Sequence, residues 1–73
     1  MIVNINEASI KEFIKINGIG RSKAKRIISY RNNNGYFQSK KDLKEVKGIG
    51  DSIFTKIKDQ IEVKSKVEVR FYP

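Results

Sequence analysis

The chain has 73 residues, of which 38% are hydrophobic and 33% charged, and its formal net charge is +8. A chain of this size forms one small domain with a thin core, and its composition is that of a folded protein rather than a disordered tail. Cysteine and histidine are absent, which excludes disulfides, cysteine zinc sites and a histidine general base, so we predict no enzyme, no metal and no cofactor. The net charge predicts a polyanionic partner, either nucleic acid or an anionic membrane surface.

The first half of the chain predicts two helices around a tight turn. Asn6 stands where an N-cap is expected, ahead of an apolar stripe with helical spacing. The second helix is expected to stop in the Asn-Asn-Asn-Gly sequence at 32–35, because asparagine and glycine tolerate a left-handed C-cap. The residues predicted to face inward are Ile10, Phe13, Ile14, Ala24, Ile27 and Ile28.

The second half predicts two further helices. Tyr36 and Phe37 are expected to fold back over the core between the two halves. Ser39 and Asp42 resemble a capping box that starts a short third helix. The inward residues of the third and fourth helices are predicted to be Leu43, Val46, Ile53, Phe54, Ile57 and Ile61. The fold class is therefore all-α, with four main helices, a short connector and a C-terminal tail of extended character.

The two halves are copies of one unit. When the sequence is shifted against itself by 30 positions, Gly18-Ile19-Gly20 falls on Gly48-Ile49-Gly50, Ser22 falls on Ser52, and the flanking apolar positions also align. Agreement of both glycines and core positions indicates a duplicated supersecondary unit. We predict a domain of residues 1–62, with repeats at about 6–33 and 39–62, followed by a tail of residues 63–73.

The repeated Gly-Ile-Gly turns predict an anion site. Gly18 can take a positive φ and end the first helix, Ile19 anchors the turn in the core, and Gly20 opens the next helix without a side chain. The first N–H groups of that helix lack intrahelical partners and lie at the positive end of its dipole, where a phosphate oxygen fits. The side chains expected around this phosphate are Arg21, Ser22, Lys23 and, one turn further, Arg26.

A single Gly-x-Gly turn is also ordinary punctuation between helices, and short motifs match often by chance. Two copies in register, in a chain of net charge +8, favour phosphate binding over that interpretation.

These residues resemble the helix-hairpin-helix superfamily, and more closely the tandem (HhH)2 domains of ComEA-like competence proteins, which are DNA receptors of natural transformation. The resemblance runs from Val3 to about Ile61 and includes VNINEAS, INGIGRSKAKRIISYR and NNGYFQSKKDLKEVKGIG. It implies an (HhH)2 fold with pseudo-twofold symmetry and sequence-independent DNA binding. The two hairpins would grip phosphates of opposite strands across the minor groove.

The resemblance also implies which residues contact DNA. In the first repeat they are Gly18, Ile19, Gly20, Arg21, Ser22 and Lys23, and in the second repeat they are Gly48, Ile49, Gly50 and Ser52.

The second hairpin departs from the pattern of the first. Asp51 corresponds to Arg21 and puts a carboxylate beside the expected phosphate, and an isoleucine takes the position of Lys23. Lys47 and Lys56 are expected to restore positive charge there. We therefore expect the first hairpin to bind more strongly.

The tail alternates apolar Val67, Val69 and Phe71 with polar neighbours, which is a strand pattern. Three interpretations are open: a disordered terminus, the first strand of a further domain, or a strand that pairs with residues 1–5 within one chain or between two copies. The last would make the chain a homo-oligomer through its tail.

Two other functions compete with DNA binding alone: a protein-interaction or oligomerisation module, and the DNA-positioning accessory domain of a repair enzyme. The expected partner is DNA, double-stranded by resemblance, with no small-molecule substrate and no membrane insertion. The resemblance implies a full-length protein tethered outside the cytoplasmic membrane. The chain has no run of about 18 apolar residues, and Met1–Ile5 is too short for the apolar region of a signal peptide.

Overall fold

A computed structural model describes residues 2–64 of the chain. Its elements in order are β1 (Val3–Asn4), α1 (Ile10–Ile14), α2 (Arg21–Asn34), a 3₁₀ helix (Lys40–Glu45), α3 (Asp51–Ile57), a second 3₁₀ helix (Lys58–Gln60) and β2 (Ile61–Glu62). The predicted all-α class is confirmed, since α1, α2, the first 3₁₀ helix and α3 are the four main helices of the described part. The strand-like residues Val67, Val69 and Phe71 lie outside it.

The first helix begins after Ser9, so the predicted N-cap at Asn6 is wrong. The Ser9 hydroxyl accepts a hydrogen bond from the Glu12 N–H at 3.2 Å, and the Glu12 carboxylate accepts one from the Ser9 N–H at 2.9 Å. This reciprocal capping box sets the start of α1. In the predicted stripe, Phe13 is buried but Ile14 is 38% exposed, because so short a helix turns only one narrow face to the core.

The core draws on both repeats and on the segments that join them. Its buried hydrophobic residues are Val3, Ile5, Ala8, Phe13, Ile16, Ile19, Ala24, Ile27, Phe37, Leu43, Val46, Ile49, Phe54, Ile57 and Ile61. Full burial of each large side chain is worth about 1.5–3 kcal/mol. The two repeats therefore share one core, as a chain of this length requires.

The connector between the repeats packs one aromatic ring into this core. Phe37 is buried and stacks on Tyr30 with ring centroids 5.5 Å apart. Tyr36 is 38% exposed, so the predicted cover over the core consists of Phe37 alone. Upstream of the connector, α2 ends at Asn34 and Gly35 follows with φ of +88°, which confirms the predicted glycine stop.

Asn6 joins three segments that are distant in sequence. Its side chain is buried, and its amide oxygen accepts a hydrogen bond from the Phe37 N–H at 2.7 Å. Its amide nitrogen donates to the Phe37 carbonyl at 3.0 Å and to the Lys64 carbonyl at 3.2 Å. The N-terminal segment, the connector and the end of the described chain are thus tied together at one residue.

The two ends of the domain meet in a short parallel strand pair. Val3 pairs with Ile61 and Asn4 pairs with Glu62, and the Ile5 N–H donates to the Glu62 carbonyl at 3.1 Å. Ile61 was predicted on the fourth helix because its spacing from the preceding apolar residues is helical. It lies on β2 instead, because pairing with β1 requires an extended backbone there.

One open interpretation pairs residues 1–5 with the tail of residues 63–73, and the tail residues after 64 lie outside the described part. The division of the chain into residues 1–62 and a tail of 63–73 stays a prediction. Between residues 2 and 64, no helix has both the length and the apolar character needed to span a membrane.

Replacing Asn6 by alanine should destabilise the fold strongly. The buried N–H of Phe37 would lose its acceptor, and a buried donor without a partner costs about 1–3 kcal/mol. Urea unfolding measures the change. Asn33→Ala, at an exposed position of α2, is the matched control and should stay within about 0.5 kcal/mol of the parent. Equal effects of the two substitutions would contradict the role assigned to Asn6.

The capping box should make stability depend on pH. The Ser9 backbone N–H and then its hydroxyl, by hydrogen bonding, lower the pKa of Glu12 below its ordinary value of 4.5. A lowered folded-state pKa gives stability that is complete above the unfolded value and is lost as the pH falls through the folded value.

Glu12→Gln keeps the acceptor oxygen but removes the titration. The stability advantage of the parent over this variant should therefore shrink as the pH falls from above 4.5 through the lowered folded-state pKa of Glu12, as measured by denaturant unfolding at each pH. A difference that is constant across this range would show that the cap does not act through the Glu12 charge.

Candidate nucleic-acid interface

The first hairpin (Gly18–Gly20) reverses the chain between α1 and α2. Gly18 has φ of +113°, in the range that favours glycine. Ile19 is buried, and its N–H donates to the Ile16 carbonyl at 3.0 Å. Gly20 is the extended N-cap of α2 and supplies no side-chain cap. A positive-φ glycine and a buried isoleucine therefore set the angle of this corner, as the sequence predicts.

The second hairpin (Gly48–Gly50) repeats that geometry before α3. Gly48 has φ of +96°, and Ile49 is buried with its N–H bonded to the Val46 carbonyl at 3.0 Å. Gly50 is an extended N-cap with φ of −93°, close to the −100° of Gly20. The 30-residue repeat of the sequence is thus also a repeat of backbone conformation.

Fewer amides are available to a ligand than the sequence indicates. The amides of Ile19 and Ile49 are hydrogen-bonded inside their turns, so these two N–H groups are not free to donate to a ligand. In each of these tight turns the isoleucine N–H donates to the carbonyl three residues earlier. Within residues 2–64, no hydrogen bond involves the N–H groups of residues 21–23 or 51–53, which precede the first intrahelical bonds of α2 and α3.

Both corners are open. A Cβ atom added at Gly20 or Gly50 would meet no atom within 4 Å. The side chains predicted around the corners are also accessible: Arg21, Ser22, Lys47 and Ser52 are exposed, and Lys23 is half-buried. The surface of each corner therefore consists of backbone, bordered by polar and cationic side chains.

Two of the predicted cations lie at the opposite hairpin from the one expected. The Nη1 atom of Arg26 lies 2.9 Å from the position of a Cβ on Gly48, and Cδ of Lys56 lies 3.3 Å from that of a Cβ on Gly18. The Arg26 guanidinium and the Lys56 side chain therefore pack against the glycine of the opposite hairpin. Their assignment to the hairpin of their own repeat stays a prediction. Proximity in sequence suggested that assignment, whereas packing between the repeats carries each helix across to the other hairpin.

Residues 1–62 match the family model of the helix-hairpin-helix motif. The chain belongs to the helix-hairpin-helix family. The predicted family resemblance is thereby confirmed, and membership supports DNA binding at the level of the family.

Three relatives show how far the similarity of this helix-hairpin-helix chain extends. ComE operon protein 1 of Bacillus subtilis (strain 168) is 51% identical over 63 residues, which are 86% of this chain and 31% of the relative. An uncharacterized protein of Haemophilus influenzae is 42% identical over 60 residues, 81% of this chain and 54% of the relative. Human endonuclease/exonuclease/phosphatase family domain-containing protein 1 is 36% identical over 64 residues, 88% of this chain and 11% of the relative. In each case the chain spans less than two thirds of the relative.

Gln60 belongs to the second repeat of this helix-hairpin-helix domain, and its side chain makes two hydrogen bonds to the backbone at the start of the first hairpin. Its Oε1 accepts a hydrogen bond from the Asn17 N–H at 2.9 Å, and its Nε2 donates to the Asn17 carbonyl at 3.1 Å. The two bonds fix the residue that enters the turn. Sequence analysis did not single out Gln60, because a lone glutamine near a helix end belongs to no motif.

The carboxylate beside the second hairpin is partly neutralised. Nζ of Lys44 lies 3.1 Å from Oδ1 of Asp51 and 4.9 Å from the centre of the Phe54 ring. Because Asp51 is 89% exposed, such a pair adds little to stability. The pair does offset the negative charge of Asp51 beside the second hairpin. Lys44 was not predicted from the sequence to lie at this position.

The two glycines of the first hairpin should respond differently to alanine. At Gly18 a side chain would be strained by the positive φ, at about 1–3 kcal/mol, and its Cβ would lie 3.2 Å from Cγ2 of Ile57. At Gly20 φ is ordinary and space is open, so Gly20→Ala should cost only about 0.5 kcal/mol through the poorer N-cap. Denaturant unfolding compares them, and equal losses would contradict this account of the hairpin.

Proposed function

We propose that this domain binds duplex DNA without sequence preference, through phosphate contacts at its two hairpins, and that it is not an enzyme. The observation that carries the proposal is the first hairpin, where an open glycine corner precedes three N–H groups that have no hydrogen bond within residues 2–64. The net charge of +8 supplies the attraction that a polyanion requires.

A phosphate oxygen at the first hairpin would approach the bare backbone at Gly20. There it would meet the free N–H groups at the positive end of the α2 dipole. Arg21 and Lys23 would add charge in the first turn, and the Ser22 hydroxyl is a further donor. All these contacts are to phosphate, which carries no base information, so binding would not depend on sequence.

The second hairpin would hold a phosphate of the opposite strand across the minor groove. Gly48, Gly50 and Ser52 are the residues proposed to touch it, with Lys47 adding charge. The two isoleucines, Ile19 and Ile49, would act by anchoring the corners in the core rather than by donating their amides. Because Asp51 borders this corner, the first hairpin is proposed as the stronger of the two contacts.

We further propose that the domain serves a ComEA-like protein as a DNA receptor in DNA uptake. Support comes from the 51% identity to ComE operon protein 1. The alternative is a domain that positions DNA for a catalytic region elsewhere in a longer protein. Similarity to a relative named for an endonuclease/exonuclease/phosphatase family domain favours it. Both roles require the same DNA-binding surface.

Lys23→Glu should weaken binding to every duplex alike, because it removes a phosphate contact and no base contact. The measurement is a salt series of fluorescence anisotropy with several unrelated duplexes and single strands. If about four phosphates are neutralised, log K should fall against log salt with a slope of about −3.6 for the parent, and less steeply for the variant.

Lys11→Glu is the matched control. It makes the same charge change at an exposed position at the far end of α1 from the first hairpin, and it should weaken binding less than Lys23→Glu. A parent affinity that does not change with salt would refute phosphate binding. Equal weakening by both variants would show that only net charge matters.

A further inference from the structure

We propose that each hairpin receives a phosphate-binding cation from the other repeat: Lys56 serves the first hairpin and Arg26 serves the second. This inference rests on the proposed DNA-binding function. It adds that neither hairpin is a complete site within its own repeat, so the two phosphate contacts are built by exchange across the domain.

The two cations occupy equivalent positions. Arg26 and Lys56 are 30 residues apart, the same offset that relates Gly18 to Gly48. Each lies on the second helix of its repeat, and each reaches the positive-φ glycine of the other repeat. The placement is therefore a property of the repeated unit and not an accident of one side chain.

Both charges are available for a ligand. Arg26 and Lys56 are exposed, and among residues 2–64 neither side chain takes part in an ion pair or a hydrogen bond. Lys44, by contrast, is occupied by Asp51. An exposed cation that rests beside a hairpin without an internal partner is suited to contact an anion that binds there.

The glycines make this approach possible. At Gly48 the guanidinium nitrogen lies 2.9 Å from where a Cβ would be, and at Gly18 the Cδ and Cε atoms of Lys56 lie 3.3 and 3.6 Å from it. A contact of 2.9 Å is shorter than real Cβ atoms make, so a side chain at Gly48 would clash with the Arg26 guanidinium. The lack of a side chain thus allows the positive φ, and it also admits the Arg26 guanidinium at Gly48 and the aliphatic stem of Lys56 at Gly18.

The exchange also compensates for the difference between the hairpins. The first hairpin has its own Arg21 and Lys23, and it receives a lysine. The second has Asp51 at the position equivalent to Arg21, and it receives Arg26, whose planar guanidinium binds phosphate with two hydrogen bonds. The hairpin with the poorer local charge is therefore given the stronger phosphate ligand.

Amide NMR of the full chain can test the exchange, because Gly20 and Gly50 report on the two hairpins separately. The parent, Arg26→Gln and Lys56→Gln are each titrated with a short duplex. Arg26→Gln should lose the duplex-induced shift at Gly50 and keep it at Gly20, and Lys56→Gln should do the reverse. Each variant should also lower the magnitude of the salt slope by about 0.9, as the loss of one phosphate contact requires.

Lys25→Gln is the matched control, with the same charge change one residue away at an exposed position of α2. It should affect neither glycine selectively. Arg26→Lys, which keeps the cation, should retain the shift at Gly50, and unfolding curves show that each variant is folded at the titration temperature.

The exchange is refuted if Arg26→Gln weakens the response of Gly20 instead of Gly50, or if it behaves like Lys25→Gln. A parent chain that shows no duplex-induced shift at either glycine would refute the proposed function itself. A parent that binds, together with variants that lack hairpin selectivity, would refute only the exchange.

Discussion

The packing of each repeat's second helix against the hairpin of the other repeat is the constraint on which this domain depends. Ile57 and Lys56 pack against Gly18, and Arg26 packs against Gly48. Gln60 hydrogen-bonds to the backbone of Asn17. The helices α1 and α3 have five and seven residues, too few to be stable alone in water. Each repeat therefore depends on its partner for its helices and for the shape of its corner.

Helix capping within each repeat and the hydrogen bonds of Asn6 between distant segments complement this packing. Both repeats start with the same device 30 residues apart: the Glu12 carboxylate accepts the Ser9 N–H at 2.9 Å, and the Asp42 carboxylate accepts the Ser39 N–H at 3.1 Å. The buried Asn6 side chain then closes the domain, because it bonds the connector and the end of the described chain at once. Few residues are needed to hold two short helical units in one orientation.

The two hairpins share one backbone geometry but differ in the charge of the residue that follows them. Their glycine dihedrals and internal hydrogen bonds agree closely, yet one corner is followed by Arg21 and the other by Asp51. The proposed phosphate contacts would therefore have the same backbone geometry at both hairpins and unequal strength. Contacts made through backbone and simple cations suit a partner recognised by charge and spacing rather than by bases.

Local chemistry alone determined much of this protein. The all-α class, the 30-residue repeat, the positive φ of Gly18 and the glycine stop after Asn34 were readable from the sequence, because each depends on residues close together in the chain. The positions of Arg26 and of Asn6 were not. The first was assigned to the hairpin nearest in sequence and the second to a helix start, whereas both are decided by groups more than twenty residues away. Only the tertiary structure, by packing one repeat across the other, could bring those partners together.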